Sequence, residues 1–167
     1  MRTRNRDAEF RDFYTVEAPR LRRLAVMLTG DVDRASDLAQ DALVKTYVAW
    51  SRIRRDDPAP YAKRTLVNLC RNAHRRRMVE IRKAPPAPRD VVDRGDNVEE
   101  AMRVAAALSV LSPVRRAVVL LRFYEDMKEA DIARMLDRPL NTVKSDLKRA
   151  LEKLRPMLTD DDVRESR

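Results

Sequence analysis

The sequence predicts an all-α chain made of two small helical domains, and three observations carry that prediction. Apolar residues recur at steps of three and four through most of the 167 residues, with no useful strand-like alternation and no internal repeat. The hydrophobic set, 44% of the chain, is mostly Ala, Leu and Val, while aromatics reach only 5%, a balance that suits helices better than sheets. A Pro-rich stretch then divides the periodic pattern in two.

The first apolar run, Leu21, Leu24, Ala25 and Leu28, is followed by Gly30, where a helix should stop. From Asp33 onward Ala35, Leu38, Ala39, Ala42, Leu43, Thr46, Tyr47 and Trp50 fall on one helical face. Another helix should begin near Pro58 or Pro60, since proline is tolerated in a first turn, and run through Tyr61, Leu66, Leu69, Cys70 and Ala73 into Arg75-Arg76-Arg77. Lys83 to Asn97 holds three prolines in four positions and Gly95, with little to bury, and reads as a flexible linker. Periodicity resumes with Val98, Ala101, Met102, Ala105 and Leu108. It restarts after Ser112-Pro113, a capping residue followed by a first-turn proline, with Val114, Ala117, Val118 and Leu121. Two further helices are predicted, Glu129 to Leu136 and about Pro139 to Met157, separated by a tight Asp137-Arg138 turn. The expected organisation is a first domain over 1–83, a linker over 84–97, a second domain over 98–158 and a frayed tail over 159–167.

Thirty-six Lys and Arg against 27 Asp and Glu leave a net charge of +9, which favours a polyanionic partner, nucleic acid first. Two glycines, one cysteine and one histidine exclude Gly-rich phosphate loops, disulfide frameworks and Cys/His zinc sites. No cofactor is expected. No apolar run approaches the length of a membrane span and the N-terminus leads into no signal-peptide core, so the protein is expected in the cytoplasm. Cys70 reads as a reduced core residue, and His74 as a surface residue with no nucleophile to serve.

Three constellations bear on function. Glu129 to Arg155 reads as helix-turn-helix: Leu140, Val143, Leu147, Ala150, Leu151 and Leu154 form one buried row in its second helix, leaving Lys144, Ser145, Lys148, Arg149 and Arg155 for solvent or a major groove. Asp146 and Glu152 lie among these basic residues and would be repelled by phosphates. The second constellation runs from Arg71 through Arg75, Arg76 and Arg77 to Arg82 and Lys83, six basic residues against Glu80, with Lys63 and Arg64 earlier. Such density should bind nucleic acid with steep salt dependence. Asn72 adds an amide able to pair with a base edge and Tyr61 a surface on which a base could stack, although either could equally be structural. The third is acidic: Asp31, Asp33, Asp37 and Asp41 with Gln40. Asp33, Asp37 and Asp41 recur every four residues on one stripe without an accompanying base or histidine, which suits a docking face for a basic partner, or a hydrated surface with pairs such as Asp41 and Lys45, better than a metal centre.

In this order the features resemble the extracytoplasmic-function (ECF) sigma factors of bacterial RNA polymerase, within them the short actinobacterial-type group, from about Phe10 to Met157. Leu28-Thr29-Gly30-Asp31, the run Ala35 to Leu43, Trp50 and the run Tyr61 to Leu69 resemble sigma region two; Leu111-Ser112-Pro113, Asp131-Ile132-Ala133 and Thr142-Val143-Lys144-Ser145 resemble region four. The resemblance implies a non-catalytic factor that directs core polymerase to promoters and helps to open them. It implies that Asp37, Leu38, Gln40 and Asp41 meet the clamp coiled coil of the polymerase, that Tyr61, Asn68, Arg71, Asn72, Arg75, Arg76 and Arg77 serve the −10 element, and that Lys144, Ser145, Lys148 and Arg149 read the −35 element. An anti-sigma protein would be a further partner.

Asp137 and Asn141 replace glycines common in the family, and both residue types tolerate a left-handed backbone. Asp146 stands where a basic residue is common and is left outside the DNA-reading set. A linker of about 15 residues at ~3.3 Å each spans up to roughly 50 Å, more than one ~34 Å turn of DNA, so two modules could occupy separate promoter patches. The competing reading is a stand-alone helix-turn-helix regulator, which would bind palindromic duplex sites as a dimer. A nucleic-acid-processing enzyme would need a metal or nucleophile constellation that the sequence lacks.

Overall fold

The computed structural model of the chain describes the backbone of residues 2–54, 56–81 and 96–164 and the side chains of residues 5–54, 56–80 and 98–157. The expected linker, apart from Asp96 and Asn97, lies outside the described residues, as do Arg82 and Lys83. All regular structure among the described residues is helical, in the order α1 (Arg2–Thr29), α2 (Val32–Ile53), α3 (Pro58–Ile81), α4 (Asp96–Ala107), α5 (Pro113–Val119), α6 (Glu129–Leu136) and α7 (Leu140–Arg164). The chain forms two compact units, Met1–Met102 and Arg103–Arg167. Helix α4 thus starts two residues before the expected 98, and the division falls inside it.

In the first unit α1, α2 and α3 pack on one another in all three pairings. The apolar positions read from the sequence supply the core: Leu21, Leu24, Ala35, Ala39, Ala42, Leu43, Thr46, Trp50, Leu66 and Cys70 are buried, and the structure adds Val26, Met27, Ala62 and Val67. Gly30 ends α1 at φ 68°, a left-handed value that suits a residue without Cβ, with its N–H on Val26 O at 2.8 Å. Asp31 then caps α2, its Oδ1 accepting from Arg34 N at 3.0 Å, so this carboxylate serves the helix rather than the acidic stripe.

Helix α1 reaches far beyond its apolar run, back to Arg2 and through Pro19. Tertiary contacts explain how its first half is held. Trp50 meets Phe10 edge-on, ring centroids 5.1 Å apart at 87°, and Phe13 at 5.1 Å. Tyr47 donates its hydroxyl to Asp7 at 2.7 Å, Arg6 donates to Tyr47 O at 2.8 Å and stacks on its ring, and Arg54 pairs with Glu9 at 2.8 Å. The Asp7 hydrogen bond, followed by burial, raises the Tyr47 phenol above its ordinary value. Trp50→Ala is expected to cost about 3–5 kcal/mol, because it empties the centre of an aromatic cluster. Urea unfolding followed by circular dichroism measures that loss, and a shift below ~1 kcal/mol would show that the cluster is incidental.

Burial pushes the Cys70 thiol up from 9.0 to about 12. Folded protein should therefore resist iodoacetamide at neutral pH and react once denatured. Since the folded value lies above the unfolded one, the associated stability is complete below pH 9.0 and is lost as pH rises toward about 12. Rapid labelling of native protein would contradict the burial.

In the second unit α5 and α6 pack on α7. Ser112 caps α5 with its hydroxyl accepting from Arg115 N at 3.4 Å, and Pro113 occupies the first turn as expected. A π-helical turn over Leu120–Tyr124, unforeseen from the sequence, continues α5, with Glu125 N on Leu120 O at 3.0 Å. It leaves Phe123 and Tyr124 exposed. Asp137 closes α6 in the left-handed region at φ 52°, ψ 54°, as its residue type allows, and Arg138 N bonds Ala133 O at 2.9 Å. Helix α7 runs on to Arg164 rather than ending near Met157, because no glycine or proline after Pro156 interrupts the ladder.

Candidate nucleic-acid interface and docking face

Helix α3 carries the first basic surface. At 100° per residue, Tyr61, Asn68, Asn72 and Arg75 share the side of α3 opposite Leu66 and Cys70, with Arg76 at its edge, and all but half-buried Tyr61 are exposed. Arg71 is half-buried on the flank of this face. Arg77 is different: it follows Cys70 by seven residues, two helical turns, and so lies half-buried on the side that packs at Cys70. The expected Arg75 to Arg77 cluster therefore splits, with Arg75 on the amide-bearing face, Arg76 at its edge and Arg77 away from it. His74 is exposed.

Helix α7 carries the second. Lys144, Ser145, Lys148 and Arg149 are all exposed, while Val143, Leu147, Ala150 and Leu154 are buried. Ser145 donates its hydroxyl to Asn141 O at 2.9 Å, which leaves its lone pairs outward as acceptors. Two corrections concern the packed row. Leu140 and Leu151, expected inside, are each 39% exposed. Asp146, expected among the solvent-facing basic residues, is only 8% exposed and pairs with Arg115 Nε at 3.4 Å and Arg138 Nη2 at 3.3 Å. Guanidinium partners on two other elements attract this carboxylate inward, so it presents no charge to a phosphate there. Asn141 joins the outer face one turn before Ser145 and is exposed. Its spacing of four and seven from Ser145 and Lys148 was the signal that sequence reading passed over in treating it as a turn residue.

The acidic stripe lies on α2. Asp33, Asp37, Gln40 and Asp41 are exposed on the side away from Ala35, Ala39, Ala42 and Leu43, and Leu38 is half-buried at the edge between the two sides. Among the described residues Asp37 and Asp41 hold no ion pair. Tyr14 of α1 donates to Gln40 Oε1 at 3.5 Å and so borders the stripe. Val44 and Val48, the latter 75% exposed, carry the same face onward at steps of three and four, an apolar extension that sequence reading missed because it scored only the charges.

No group of three or more His, Cys, Asp or Glu that could hold a metal occurs among the described residues. No helix among them is long and apolar enough to cross a membrane. Burial lowers the Arg116 guanidinium, whose Nε donates to Leu108 O at 3.3 Å, so this basic residue serves the core.

A helical unit with an outward basic and amide face on α3 and an acidic side on α2, and a second unit with a helix-turn-helix, have the make-up of a two-module DNA-binding protein. Residues 13–79 match the family model for sigma-70 region 2 and residues 101–154 that for sigma-70 region 4. The chain is 33% identical over 159 residues to the RNA polymerase sigma-E factor of Streptomyces coelicolor, spanning 93% of this chain and 89% of the relative. It is 33% identical over 143 residues to the ECF RNA polymerase sigma factor SigM of Mycobacterium tuberculosis, spanning 83% and 71%. Among solved structures, the sigma factor RpoE of Bartonella quintana, crystallised with the anti-sigma factor NepR, shares the fold with a TM-score of 0.74 at 23% identity, covering 90% of this chain and 96% of that one. The chain belongs to the ECF sigma factors of RNA polymerase.

Proposed function

We propose that this sigma factor directs core RNA polymerase to its promoters by holding polymerase through α2 and two separate promoter elements through α3 and α7, and that it performs no catalysis of its own. The observation that carries the reading is the pairing of carboxylates without an ion pair among the described residues, Asp37 and Asp41, with outward basic faces in each unit of a chain of net charge +9. Acidic residues on such a chain stay off DNA and suit a basic protein surface, with Leu38, Gln40, Val44 and Val48 supplying polar and apolar contact beside them.

On α3, Asn68 and Asn72 would hydrogen-bond the edges of bases that have left the stack, Tyr61 would supply a ring for stacking, and Arg71, Arg75 and Arg76 would hold the backbone of the −10 strand. Capturing unpaired bases favours the open duplex, which is how a protein without a catalytic group assists melting. Arg77, turned from that face, would contribute long-range attraction rather than contact. On α7, Lys144, Lys148 and Arg149 would reach guanine edges or phosphates of the −35 duplex, with Ser145 accepting from a base. The region-four part then extends from the start of α4 through α7, the region-two part through α1 to α3, and the protein would act in the cytoplasm with polymerase and DNA. The test is reconstitution: core polymerase with this chain should initiate at discrete genomic start sites that share two spaced elements. Specific palindrome binding by the chain alone, with no polymerase-dependent start sites, would replace this reading by that of a stand-alone regulator.

A further inference from the structure

The buried carboxylate of Asp146 is unlike every other acidic side chain described in the second unit. It is the one charged residue among the buried side chains described there, 8% exposed amid Val143, Leu147, Ala150 and Leu154 of its own helix. Its Oδ1 accepts from Arg115 Nε of α5 at 3.4 Å, and its Oδ2 lies 3.3 Å from Arg138 Nη2, in the turn that precedes α7. The Arg138 contact lacks hydrogen-bond geometry and is an ion contact alone. One carboxylate thus ties three elements of the helix-turn-helix unit, between two guanidinium groups that are each about 30% exposed.

The clasp has a directional consequence. An apolar row alone would bury Leu140, Val143, Leu147, Ala150, Leu151 and Leu154; the observed buried set exchanges Leu140 and Leu151 for Asp146. At 100° per residue this turns the buried side of α7 by roughly 35° about its axis. The same turn brings Asn141 and Lys148 toward the middle of the outer face and moves Arg149 toward its edge. Hydrophobic packing is tolerant of such a roll, since Leu140 or Asp146 could each occupy the margin of the core, whereas an ion pair to two fixed partners is not.

We infer that Asp146 is a positioning residue for the recognition helix: clasped by Arg115 and Arg138, it sets the roll of α7 and so determines which side chains read the −35 bases, without touching DNA. This rests on the assignment of α7 as the −35 reader.

The test uses holoenzyme reconstituted from core polymerase and the full chain, presented with promoter duplexes randomised across the −35 element, the bound fraction being sequenced. Asp146→Leu replaces the clasp by apolar contact with the same branching, and Asp146→Asn keeps shape while removing the charge; Lys148→Ala is the reference for loss of a reading side chain. Arg138→Gln, in the turn that precedes α7, removes one arm of the clasp should either Asp146 variant fail to fold. The clasp variants are expected to lower −35 enrichment about tenfold and to alter which bases are enriched, with thermal midpoints of the folded variants close to the parent. A residue that only stabilised the unit would lower the midpoint and the total binding while leaving the enriched bases unchanged, and that result overturns the inference. So does a variant indistinguishable from the parent while Lys148→Ala loses enrichment. If the parent shows no −35 preference, or Lys148→Ala and Arg149→Ala both match it, the assignment of α7 itself fails and the inference falls with it.

Discussion

Asp37→Arg combined with Asp41→Arg is expected to abolish binding to core polymerase and to leave the fold intact. Both side chains are exposed and without ion pairs among the described residues, so reversing them removes nothing from the α2 core of Ala35, Ala39, Ala42 and Leu43. At an interface with a basic partner each reversal exchanges an attraction for a repulsion. Losing close charge pairs of this kind costs about 2–5 kcal/mol apiece, so the double variant should bind at least roughly a thousandfold more weakly. Competition against the parent chain for core polymerase measures the loss, with circular dichroism as the check on folding. A double variant that competes equally would remove α2 from the docking face.

Lys148→Ala and Arg149→Ala each weaken promoter binding by holoenzyme by about 1–3 kcal/mol where the side chain reads a base. The two kinds of contact separate cleanly. A base-reading side chain loses affinity at promoters carrying its base and spares others, whereas a phosphate contact weakens all sequences alike and lowers the salt slope by about one. The roll inferred for α7 adds an ordering: Lys148, nearer the middle of the outer face, should show the greater sequence dependence, and Arg149, nearer the edge, the more uniform loss. Titration of both variants against two promoters differing at −35, at two salt concentrations, distinguishes them. Unchanged binding by both would take this helix out of the interface.

Taken together, these expectations describe a protein whose chemistry is recognition. On the proposed reading its charges are distributed by partner: carboxylates on α2 for a basic protein, guanidinium, ammonium and amide groups on α3 and α7 for DNA. The buried cations and anions that depart from this division, Arg116 and Asp146, are spent on internal geometry.

The sequence by itself determined the helical class, the courses of α2, α3 and α6, the caps at Ser112 and Asp137, and the candidate surfaces, because these depend on spacing within one helix or on the backbone preference of one residue. A row such as Ala35, Ala39, Ala42 and Leu43 defines its own inner face, and the exposure of Asp37 and Asp41 follows from it. Tertiary structure decided the rest. The reach of α1 back to Arg2 depends on Phe10 and Phe13 meeting Trp50 from another helix, the π-helical turn at Leu120 on the packing around it, and the burial of Asp146 on arginines 31 and 8 residues away along the chain. Periodicity reports how a helix would bury itself against a uniform apolar neighbour; where the neighbour instead offers a ring or a guanidinium, only the packed arrangement fixes which side of the helix faces in.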